Sequence, residues 1–109
     1  MRRVVVTGLG IISSIGNSAE EVTASLKAGR SGISANADMA EHGFRSQIAG
    51  APDIDLAAAI DKRTLRFMGP GAGYAFLAME QAIADAGLTE AEVSDPKTGL
   101  VAGSGGPAT

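Results

Sequence analysis

The residue types that carry most enzyme chemistry are scarce in this chain. It has no cysteine and one histidine, His42. The missing cysteine removes a thiolate nucleophile, a thiolate metal site and any disulfide from these residues. His42 has no second histidine, cysteine or aspartate pair beside it, the company that a metal ligand or general base keeps, and it reads as a solvated loop residue. Three groupings remain with the means to bind something. Gly8-x-Gly10 follows a β-branched run, Lys62, Arg63 and Arg66 crowd one short stretch, and Gly103-Ser104-Gly105-Gly106 follows a second apolar run.

The first grouping invites a dinucleotide reading. Strand, glycine turn and helix follow in the right order, but Ser13 stands where the fingerprint has its third glycine. The following helix also begins too late to aim its free amides at a phosphate. The glycines therefore read as close backbone packing. The last grouping resembles the loops at strand ends where α/β proteins admit ligands, and a phosphate cradle there needs a helix N-terminus directly after it. The basic grouping sits on a helical turn. Lys62 and Arg63 lie four and three residues before Arg66, so their heads share a side while Leu65 and Met68 turn inward. A solvated face is one reading of such a cluster, and a docking spot for an acidic partner is the other.

Strands and helices must place these groups. Residues 4–16 read as a central strand running into a glycine-punctuated segment, and residues 98–103 as a second strand lying beside it. Ser18 and Glu21 form a capping box for a helix to about residue 28, stopped by Gly29. Residues 31–55 read as loop with a short strand at 45–49. Ala72, Ala75, Phe76, Met79, Ala82, Ile83 and Ala86 recur at helical spacing, which predicts a long helix with an alanine-rich buried stripe and Glu80, Gln81 and Asp85 off it. Gly87-Leu88 predicts a Schellman end, and residues 89–92 a further short turn.

At 109 residues the chain is one domain or less, with 15 glycines, 4% aromatic residues and a net charge of -3. A core of this composition relies on close approach of small side chains. Nothing in the charge pattern suits bulk nucleic-acid binding, and no apolar run nears the roughly 20 residues of a membrane span. A soluble, cytoplasmic protein with no metal site in these residues is the expectation.

Taken together, several strings closely resemble the N-terminal part of the β-ketoacyl-acyl carrier protein synthases. They are Val5-Val6-Thr7-Gly8-Leu9-Gly10-Ile11, Ser13-Ser14-Ile15-Gly16-Asn17, Gly29-Arg30-Ser31-Gly32-Ile33, Arg66-Phe67-Met68, Tyr74-Ala75-Phe76-Leu77, the stretch 79–88 and Gly103-Ser104-Gly105-Gly106. The Ser-Ser-Ile-Gly-Asn string and the long helix favour the type I condensing enzyme of bacterial fatty-acid synthesis. The resemblance implies an α/β, thiolase-like fold, a mixed β-sheet layered with helices, usually paired as a homodimer. Residues 1–109 would form an N-terminal part of the synthase domain with no internal boundary.

In that family a cysteine accepts the acyl chain and two histidines assist decarboxylation of the malonyl donor, both substrates riding on the phosphopantetheine arm of acyl carrier protein, with no other cofactor. No catalytic residue of that set matches this chain. The resemblance carries over two features: Lys62, Arg63 and Arg66 coincide with the carrier-protein docking patch, and Gly106 with a position bordering the acyl pocket. Pro107 departs from the glycine often found next in the type I form. A small nucleotide- or phosphate-binding module, or a synthase relative without the nucleophile, is the alternative.

Overall fold

The computed structural model describes residues 1–105. Its chain gathers into two compact units, one made of Ile12–Ile54 and the other of Met1–Ile11 with the chain from Asp55 onward.

The Ile12–Ile54 unit opens on a tight turn in which Ser13 and Gly16 exchange backbone bonds. Helix α1 (Ala19–Lys27) follows. Its Ser18 hydroxyl accepts from the Glu21 amide at 3.2 Å, as the capping signature predicts. The return bond goes one residue further back, from the Asn17 amide to Glu21 Oε2 at 2.7 Å. Gly29 ends the helix with φ 63, the left-handed conformation that glycine adopts without a Cβ penalty. Ser25 is the buried residue of α1, whereas Leu26 is exposed, so the inward face differs from the Val22 and Leu26 stripe. The Ser25 hydroxyl is satisfied by the Ile15 carbonyl at 2.6 Å.

The loop expected after α1 is more ordered than its composition implies. Strands β1 (Ile33–Ala35) and β2 (Ile48–Gly50) pair antiparallel, with Ile33 opposite Gly50 and Ala35 opposite Ile48, and helix α2 (Ala37–Glu41) lies between them. Asn36 caps α2 by accepting from the Met39 amide. A polar capping side chain is enough to start a short helix, and composition alone does not separate that from loop.

In the other unit, α3 (Leu56–Ala59), α4 (Lys62–Leu65), α5 (Pro70–Ala86) and α6 (Glu90–Val93) follow in order. Asp55 and Asp61 cap the two short helices. Pro70 sits in the first turn of α5, where its missing N–H costs nothing. Gly87 at φ 66 ends it, with Gly87 and Leu88 donating to the Ala84 and Ile83 carbonyls, the Schellman end that Gly87-Leu88 predicts. The core lies where α3 packs on α4 and α5. Among the described residues its buried apolar side chains are Ile60 and Leu77, and Leu56 covers Gly73 on α5.

Helix α5 is rotated relative to the expected stripe. Gly73 and Leu77 are its buried positions, while Ala72, Ala75 and Met79 are exposed. Gln81 and Asp85, read as off the packed face, continue the Gly73 and Leu77 row and bond the chain near its start. A further correction concerns the two predicted strands. Residues 4–12 and 98–103 carry no ladder among the described residues, and Val4 and Val101 are 93% and 98% exposed. A strand is stabilised by the neighbour that takes up its N–H and C=O groups, and neither segment has one here.

Helix α6 opens on a complete capping box. Glu92 Oε2 accepts from the Thr89 amide and hydroxyl, each at 2.8 Å, and the Thr89 hydroxyl accepts from the Glu92 amide. The backbone bond from Thr89, then its side-chain bond, hold the Glu92 carboxyl below its ordinary value. The box is intact above the usual glutamate range and is lost as pH falls through this lowered value. Accordingly, the Glu92 carboxyl should titrate below a peptide glutamate, with the Thr89 amide losing exchange protection over the same interval. A Glu92 titration at or above the peptide value removes this account.

Candidate functional site

The basic grouping is exposed at all three of its side chains. Asp61 Oδ2 accepts from the Arg63 amide at 3.0 Å and starts α4, so the three cations emerge from one turn of helix and its cap. The Arg66 amide donates to the Lys62 carbonyl at 3.2 Å, which stacks position 66 one turn above position 62. Lys62, Arg63 and Arg66 are exposed, whereas Leu65 and Met68 are half-buried as the turn reading requires. The Arg66 guanidinium lies 4.7 Å from the centre of the Phe67 ring. That contact holds a flexible cation near the helix end while leaving its charge outward.

The glycine groupings behave differently from each other. A Cβ placed on Gly8 or Gly10 would run into the backbone of α5 at Ala82 and Ala86, or at Ala78 and Ala82. The Leu9 amide donates to Asp85 Oδ2 at 2.9 Å and the Ile11 amide to Gln81 Oε1 at 3.1 Å. A phosphate needs such amides free and is repelled by the Asp85 carboxylate that occupies one of them, so the close-packing reading of Gly8-x-Gly10 prevails. Gly103 and Gly105 have open space around them, and Gly106 lies outside the described residues.

His42 follows α2, its Nδ1 2.8 Å from the Asp38 carbonyl and its ring exposed beside Phe44. This is a helix-end contact and brings no carboxylate or second imidazole to the ring. Among the described residues, no three His, Cys, Asp or Glu side chains are grouped to hold a metal ion. No helix among them is long and apolar enough to cross a membrane.

An open polar cavity of about 540 Å³ lies in the Ile12–Ile54 unit, lined by Ser13, Asn17, Glu21, Ser25, Arg30 and Asp53 among others. The Ser13, Asn17, Glu21 and Ser25 side chains each bond a backbone group. Ser13 Oγ donates to the Gly16 carbonyl at 3.1 Å and Asn17 Nδ2 to the Asp53 carbonyl at 2.7 Å. Sequence reasoning missed these contacts, and it missed the roles of Gln81 and Asp85. The signal for the latter was present: two acceptors one helical turn apart, and two glycines two residues apart to admit a backbone.

An exposed basic helical turn and a glycine-punctuated segment laid on a long alanine-rich helix are the main features of this chain, which has no cysteine. The chain belongs to the β-ketoacyl synthase family, matching the model of the β-ketoacyl synthase N-terminal domain over residues 1–109. It is 55% identical over 96% of its length to 3-oxoacyl-[acyl-carrier-protein] synthase 1 of Haemophilus influenzae, and 53% identical over 97% to that of Escherichia coli K12. It spans 26% of each of those relatives.

Among solved structures it is similar to the ishigamide ketosynthase/chain length factor, with a TM-score of 0.72 and 44% identity over 84% of this chain and 23% of that one. A β-ketoacyl synthase from Burkholderia phymatum matches at a TM-score of 0.67 and 35% identity, over the same shares of the two chains. The fold is therefore the α/β, thiolase-like fold of the ketosynthases, represented by part of it.

Proposed function

We propose that the full-length protein is a 3-oxoacyl-acyl carrier protein synthase of the type I class, an acyltransferase of fatty-acid synthesis. The observation that carries this reading is the identity of more than half of the residues, over nearly the whole chain, with synthases of that name. In the proposed reaction, an enzyme thiolate takes the acyl group from its carrier and releases the carrier thiol. Malonyl-carrier then loses carbon dioxide, and the resulting carbanion attacks the acyl thioester, expelling the enzyme thiolate and forming 3-oxoacyl-carrier. The thiolate and its histidines belong to parts of the protein outside this sequence, which has no cysteine.

The share of Lys62, Arg63 and Arg66 is to seat the acidic carrier protein, whose phosphopantetheine arm delivers both substrates. Gly106 would border the acyl pocket. Pairing as a cytoplasmic homodimer, with residues 1–109 inside a single synthase domain, completes the reading. The test is direct: purified full-length protein, given an acyl-carrier and malonyl-carrier, should release carbon dioxide and form a 3-oxoacyl-carrier two carbons longer. A protein that takes up no acyl group from the carrier, or yields no condensed product, would refute it.

A further inference from the structure

We propose that Gln81 and Asp85 are positioning residues, a two-point clamp that stands in for a partner strand and sets the register of residues 8–11 on α5. The geometry is consistent at four points. Leu9 meets Asp85 and Ile11 meets Gln81, while Gly8 faces Ala82 and Ala86, and Gly10 faces Ala78 and Ala82. Each step of two residues along the segment moves four back along the helix, so the segment runs antiparallel to α5.

The spacing makes this match possible. Four residues of helix rise about 6 Å and two of extended chain about 6.6 Å, close enough for two side-chain acceptors to reach alternate amides without strain. Those amides point where a strand would supply carbonyls, and the carboxylate gives the stronger, charge-assisted bond. Sterics close off the alternatives. Sliding the segment by one residue puts Thr7 and Leu9, or Leu9 and Ile11, onto the helix backbone where only glycine fits. Sliding by two keeps one glycine but brings in Val6 or Ile12. One register alone has glycine at both contacts and an acceptor at both amides.

The glycines permit this register and the acceptors hold it. The clamp thereby fixes how the apolar residues 4–6 leave the helix, and with that the line on which a neighbouring strand must meet them. The assignment rests on contacts within this chain and is independent of the reaction proposed above.

Site-resolved hydrogen exchange on the full-length protein tests it. Asp85→Ala should speed exchange at Leu9 about tenfold or more and at Ile11 by less, and Gln81→Ala should reverse that order. Asp85→Asn and Gln81→Glu each keep an oxygen acceptor and should restore most of the protection. Unchanged exchange at Leu9 in Asp85→Ala, or failure of Asp85→Asn to rescue it, would overturn the clamp.

Discussion

Reversing two charges in the full-length protein, Arg63→Glu with Arg66→Glu, is expected to weaken carrier binding roughly thirtyfold to a hundredfold at low salt. An exposed ion pair contributes about 0.2–1 kcal/mol, and reversal replaces attraction with repulsion at each position. Taken at about 0.5–0.7 kcal/mol per pair, the middle of that range, and doubled on reversal, two reversals amount to about 2–2.7 kcal/mol. The loss should lie mainly in the association rate, because all three cations are exposed and steer the encounter more than they lock the complex. Raising salt should narrow the gap between the variant and the unaltered protein as the Debye length shrinks. Turnover at saturating carrier should persist, since none of these side chains is proposed to touch the reacting atoms. Arg66 also packs on Phe67, so Lys62→Glu with Arg63→Glu, which spares that contact, separates charge from packing. Unchanged affinity at low salt in both pairs would remove the docking proposal while leaving the family intact.

The helix that presents this patch was readable because its determinants are local. Asp61 caps it, Leu65 and Met68 turn inward, and no distant residue is needed to start it. The same holds for α1, whose Ser18 and Gly29 mark both ends, and for the Gly87-Leu88 termination of α5. Strand formation is different in kind. Val4 and Val101 have the right residue types, yet a strand exists only through a partner, and sequence pattern says nothing about whether the partner is present. The inward face of α5 was misread for a related reason. An alanine stripe marks where a neighbour can come close, but Gly8 and Gly10 bring a bare backbone, and a bare backbone asks for acceptors as well as space. Gln81 and Asp85 answer that demand, and a hydrophobicity pattern places both of them in solvent. Gly106, the proposed pocket residue, was legible only through the family resemblance, because no local pattern distinguishes it from its neighbouring glycines.

The largest effect on stability is expected from Gly10→Val. A Cβ at this position would meet the Ala78 carbonyl, with the Ala82 amide nitrogen at 2.7 Å and the Ala78 carbonyl carbon at 2.8 Å. These are backbone atoms inside a 17-residue helix, so they cannot move aside as a side-chain tip can. The segment must lift instead, which loses both the Ile11 to Gln81 bond and the Leu9 to Asp85 bond. Overpacking costs about 1–3 kcal/mol and the lost hydrogen bonds about 1 kcal/mol each. A total of about 3–5 kcal/mol is a large share of the 5–15 kcal/mol that usually separates folded from unfolded protein. Denaturant midpoints of the full-length protein measure it, with Gly71→Ala as the matched control. Gly71 lies in the first turn of the same helix with open space around it, so alanine there should be neutral or stabilising by up to about 1 kcal/mol. If Gly10→Val melted with the control, residues 8–11 would not be packed on α5, and both the close-packing account of Gly8-x-Gly10 and the register argument built on it would fail together.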